Sequence, residues 1–113
     1  MTKKEIQLLF TYDTWADLKF LEVIAALTGD QYKKDIHSSF GSIQGALSHI
    51  LSANRVWLYR WIGKEPEPLK VVNFPAMEVV KMQWDTYQCE ISNFLQNLTE
   101  EKLNAPLQYS DFK

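Results

Sequence analysis

Apolar residues recur along this chain at steps of three and four, the spacing of one face of an α-helix, in three long stretches. In the first, Ile6, Leu9, Phe10, Asp13, Asp17, Phe20, Ile24 and Leu27 form a stripe in which two aspartates stand among the apolar side chains, and Thr28-Gly29-Asp30 supplies a stop. The second begins at Ser42, a residue type that caps helix N-termini, and ends at Gly63, with Ile43, Ala46, Leu47, Ile50, Trp57 and Trp61 on its expected inner face. Lys64-Glu65-Pro66-Glu67-Pro68 then breaks the helix, because proline lacks an amide donor and pushes its neighbour to extended backbone. Pro75 is expected in the first turn of a third helix, along which Met77, Val80, Trp84, Tyr87, Ile91, Phe94, Leu95 and Leu98 line one face. The pattern predicts helices over residues 3–27, 42–63 and 75–98, joined by a polar connection over 30–41. Beyond them, Thr99 could cap one short helical turn, and Leu107 to Phe112 alternates like a brief strand.

Three amphipathic helices with polar connections predict an all-α, up-down helical bundle in a single domain spanning residues 1–113. Three helices of this length leave one side of their shared core open, for a fourth helix or a partner chain to cover. Trp84, Phe94 and Leu98 are the residues expected to be left partly uncovered there, and a twofold homodimer is the expected remedy.

Composition narrows the classes of function. At 113 residues, with 46% hydrophobic and 13% aromatic residues, the chain can bury a real core and is not of disordered composition. Its net charge of −2 and scattered basic residues give no electrostatic footprint for nucleic acid. The N-terminus lacks the apolar run of a signal peptide and no stretch has the length of a membrane span, so no membrane partner is expected. One cysteine, Cys89, precludes an intrachain disulfide and suits a reducing compartment, so a cytoplasmic protein is expected.

The candidate chemistry centres on His49. Gly45 and Ala46 lie one turn before it and Ser52 and Ala53 one turn after, so the imidazole stands among small residues, which an interior metal site requires. A lone core histidine satisfied by a backbone or hydroxyl partner is the plainer reading. Asp13 and Asp17 could act as oxygen ligands or orient a metal-bound histidine, or else sit at the bundle edge facing lysines or water. Arg60, in the aromatic run Trp57 to Trp61, could meet an anionic substrate group or stack on the rings around it. His37, the second histidine, falls in the polar connection and reads as solvated. Cys89 lies on the outer face of the third helix with nothing near it in sequence to activate it.

The run Leu9-Phe10-Thr11-Tyr12-Asp13-Thr14-Trp15-Ala16-Asp17 resembles the opening helix of the DinB family of bacterial four-helix-bundle proteins. Ser39 to Ile43, Leu47 to Leu51 and Val56 to Gly63 resemble its second helix, and Phe74-Pro75 followed by Trp84 resembles the start of its third. The similarity covers essentially the whole chain. The resemblance implies a divalent metal, zinc or nickel, held by three histidines. His49 falls in register with one of them; a His-x-x-x-His pair on a fourth helix supplies the others. The chain stops at Lys113, where that helix is expected to begin, so a C-terminally truncated form or a natural variant without the site is expected. No tightly held ion is expected in this chain itself, and His49 is expected to face the bundle interior toward Asp13 or Asp17. The family resemblance further implies a thiol S-transferase acting on a small-molecule thiol such as bacillithiol. The alternative is a non-catalytic helical module acting through dimerisation or partner binding.

Overall fold

The computed structural model describes residues 2–70 and 73–107. Among the described residues five helices follow one another: α1 (Lys3–Ile24), α2 (Gly29–Lys33), α3 (Ile43–Ile62), α4 (Met77–Asn97) and α5 (Glu100–Leu103). The described residues contain no strand, and the bundle is all-α with three long helices. None of them is long and apolar enough to cross a membrane. The expected strand over 107–112 falls, from residue 108 onward, outside the described residues.

Local chemistry sets the helix ends. Thr2 and Glu5 form a capping box at the start of α1, each side chain accepting a hydrogen bond from the other's amide. Ser42 caps α3 by accepting from the Gly45 amide at 3.0 Å, and Gly63 ends it with a left-handed φ of 78°. At both ends of α3 the expected boundary holds. Two expectations are corrected. Gly29 does not stop the first helix, which ends at Ile24. Instead Thr28 and Gln31 make a second capping box that starts α2 inside the supposed polar connection. Pro75 lies just before the N-cap of α4, Ala76, not within its first turn.

α4 is the central rod. It packs against both α1 and α3, while α2 packs on α3. Val80, Trp84, Tyr87, Ile91, Leu95 and Leu98 are all buried, as the stripe of the third helix predicts. Lys3 bonds to Gln96 and Glu100, Thr14 to Gln88, and Asp17 to Trp84, so α1 runs antiparallel to α4. Gln44, at the start of α3, bonds to the Phe74 carbonyl, whereas Trp61, near its end, stacks on Phe94 at 5.8 Å. α3 and α4 therefore run in the same direction. The segment between them crosses back along the bundle, pinned midway where the Leu69 amide donates to Ser52 Oγ at 2.9 Å. One long crossover thus replaces simple up-down alternation.

The buried side chains correct the inner faces of the other two helices. On α1, Leu21 and Ile24 are buried and Ile6 and Phe10 pack against the core, as does Leu27 just after the helix, but Leu9 and Phe20 are exposed. On α3, Leu47, Leu51, Val56 and Leu58 are buried, whereas Ile50, Trp57 and Trp61 are exposed. Both helices carry apolar residues around much of their circumference, so periodicity alone does not orient them. Trp84 and Leu98, expected to be partly uncovered, are buried, and Phe94 packs against the core. The shortest dimension is 22 Å, about two helix diameters, and a groove stays open between α1 and α3.

Candidate functional site

Between α1 and α3 runs a groove of about 560 Å³, lined by Leu9, Phe10 and Asp13 of α1, Ala53, Asn54, Trp57 and Trp61 of α3, and Tyr87 of α4. Phe10 meets Trp61 edge-on, with ring centroids 6.4 Å apart, and closes one end. Tyr87 of the central helix is the buried floor.

The acidic side of this groove belongs to α1. Asp17 is half-buried and accepts a hydrogen bond from Trp84 Nε1 at 3.2 Å, which ties it to α4. Burial raises its carboxyl above the usual 3.8, the charge of Asp13 raises it further, and the Trp84 bond works in the opposite direction. Burial also raises Asp13, although its side chain reaches solvent. The phenol of Tyr87 is held well above its usual 10, first by burial and then by the two carboxylates. Neither aspartate forms an ion pair with a lysine among the described residues: Asp17 is held by an indole instead.

His49 does not join this groove. Its side chain is exposed and its ring stacks on Phe40, centroids 4.2 Å apart and planes 18° from parallel. The expectation that it faces the interior toward Asp13 or Asp17 is corrected. The cause lies in the connection before α3. Gly41, at φ 80°, donates to the Ser38 carbonyl and accepts from the Ile36 amide, and this tight turn folds Phe40 back over α3. Small residues near His49 then have plainer explanations. A Cβ at Gly45 would run into the Phe40 carbonyl oxygen. Ser48 is buried with its hydroxyl donating to the Gln44 carbonyl, and Ser52 holds the crossover. Only Ala53 lines the groove.

The other sequence candidates fall as follows. Arg60 is half-buried, its guanidinium 4.7 Å from the centre of the Trp57 ring at the groove's edge. His37 is solvated, its amide donating to Asp35 Oδ1. Cys89 is exposed. Sequence reasoning missed Tyr32, which is buried under α2 with its hydroxyl donating to the Phe74 carbonyl at 2.9 Å and its phenol pushed up to about 12 by burial. The Thr28-x-x-Gln31 spacing was the available signal for that helix. Asn54 was also missed, and no periodicity marks it.

Among the described residues, no three His, Cys, Asp or Glu side chains come together in a way that could hold a metal ion. Zinc sites take three or four protein ligands. One exposed imidazole stacked on a phenyl ring does not fit that requirement.

The family model described as DinB family matches residues 1–112. This chain belongs to the DinB family. Neither the curated proteins nor the solved structures contain a match to it. Membership agrees with the all-α bundle.

Proposed function

We propose that this DinB-family chain works in a metal-dependent enzyme of the thiol S-transferase type. In this reading His49 gives one nitrogen to a zinc or nickel ion, and the substrate is a low-molecular-weight thiol of the bacillithiol class. The family match over residues 1–112 is the observation that carries it, and the sequence resemblance of the second helix is what suggests His49 as a ligand. The described residues do not make up a ligand set, so the remaining ligands have to come from outside them, and His49 has to leave its stack on Phe40. His49 does not line the groove between α1 and α3, so once released it would have to turn toward that groove, which is open, aromatic-walled and large enough for a small thiol. Arg60, lying over Trp57 at its edge, is the cation that would meet a substrate carboxylate.

The test is loss of free thiol in the presence of an electrophile, with and without zinc or nickel, for the parent, His49→Ala and Arg60→Ala. The reading expects metal-dependent consumption that His49→Ala abolishes and a raised KM for Arg60→Ala. Equal turnover in the parent and His49→Ala would overturn it. A second reading, a non-catalytic helical module acting through self-association, is favoured by one observation, the exposed apolar stripe on α1.

A further inference from the structure

The outward side of α1 carries a second apolar stripe that the bundle does not use. Glu5, Leu8, Tyr12, Trp15, Lys19 and Glu22 follow one another at steps of three, four, three, four and three, the seam of a helix that packs on another helix. Leu8 is 70% exposed, Tyr12 66%, Trp15 56% and Val23 71%, and the Tyr12 and Trp15 rings lie 5.9 Å apart on this side. Together with Leu9, at the edge of the stripe, these side chains offer roughly 500 Å² of apolar surface per copy on ordinary side-chain areas. Two copies together expose ~1,000 Å², about the lower limit of a specific interface.

We propose that this face of α1 pairs with the same face of a second copy, antiparallel, about a twofold axis beside Tyr12. The charges fix that register. Glu5 and Lys19 lie seven residues on either side of Tyr12, so each Glu5 meets the other copy's Lys19. A twofold axis perpendicular to both helices also brings like flanks together. On one flank, Trp15 meets Leu8 of the second copy and Lys4 meets its Glu22; on the other, Leu9 meets the small Ala16. Symmetry doubles every pair, giving four opposite-charge contacts around an aromatic centre. Moving the axis to midway between Tyr12 and Trp15 would set Glu5 against Glu22, a like-charge contact that disfavours that register. The existing Lys19–Glu22 contact is long, 3.9 Å, with both side chains well exposed, so it yields readily to pairing across the interface.

Sedimentation of the 113-residue chain at micromolar concentration tests the proposal, and its outcome does not depend on metal or thiol. A dimer is expected, and Tyr12→Glu with Trp15→Glu is expected to give a monomer of unchanged far-UV circular dichroism. Glu22→Lys, which suits the helix end it lies near, is expected to weaken the dimer about tenfold, and adding Lys4→Glu to restore it. In a Cys89→Ser background, Tyr12→Cys is expected to oxidise to a disulfide-linked dimer, whereas Leu18→Cys, off the stripe, is not. A monomeric parent would overturn the proposal. So would a dimer that survives the double glutamate variant, or a monomer that binds phospholipid vesicles through the same two rings.

Discussion

Gly45→Ala separates two accounts of the small residues beside His49. If Gly45 is small to leave open room for a ligand, an added methyl costs nothing and the helix gains the ~1 kcal/mol by which alanine outranks glycine in a helix interior. The structure gives the opposite sign. A Cβ at Gly45 runs into the Phe40 carbonyl oxygen, a backbone atom that cannot rotate aside, so the turn over residues 38–41 must shift. Overpacking of this kind costs ~1–3 kcal/mol. Displacing Phe40 also loosens its stack on His49, which is worth ~0.5 kcal/mol at an exposed site. Set against the helix gain, the net loss is about 0.5–2.5 kcal/mol, or roughly 2–10 °C in Tm for a chain of this length. Thermal unfolding followed by far-UV circular dichroism measures it, with Gly29→Ala as control, since nothing lies within 4 Å of a Cβ there. A Gly45→Ala variant that melts at or above the parent would refute the close approach and return the clearing to His49.

Leu51→Ala, at a fully buried position of α3, is expected to lose about 2–5 kcal/mol in denaturant unfolding; a loss under ~1 would mean the α3 register is wrong. Tyr32→Phe removes one of two bonds to the Phe74 carbonyl, which Gln44 still satisfies, and is expected to cost about 0.5–1.5 kcal/mol, whereas no cost would show that α2 is not docked. Asp17 keeps a proton in the folded state that the unfolded chain releases near pH 3.8, so its contribution to stability falls as the pH rises from there through its raised value. The Tm of Asp17→Asn minus that of the parent is therefore expected to grow across that window, and a constant difference would contradict the assignment. Cys89 is expected to react with a thiol reagent in the native protein at the rate of an exposed thiol, with slow labelling counting against its place on α4.

How much was legible in the sequence differs from helix to helix. The stripe of α4 was legible because its apolar side chains lie on one face, and burial matches it from Val80 to Leu98. α1 and α3 carry apolar residues on several faces, so the same periodicity pointed to Leu9, Phe20, Trp57 and Trp61, all of which are exposed. Which face turns inward is decided by α4, a tertiary contact that spacing does not contain. Direction was hidden too: the crossover that makes α3 parallel to α4 depends on Ser52 capturing the Leu69 amide. At the candidate site, the small residues around His49 were visible in the sequence, but the stack of His49 on Phe40 was not, because it depends on a turn set by the positive φ of Gly41. Asp17 stood on the apolar stripe of the first helix, and its partner is neither lysine nor water alone but Trp84, 67 positions away, which emerged only from the fold.

Metal content bears most directly on the proposed function. Zinc and nickel should be measured per chain in the protein expressed from its own reading frame, beside His49→Ala prepared in the same way. With the ligands from outside the described residues in place, the account predicts close to one equivalent in the parent and a large loss in the variant, because His49 is the one imidazole on the described long helices. Equal metal in both, or thiol transfer at full rate in a metal-free parent, would contradict it.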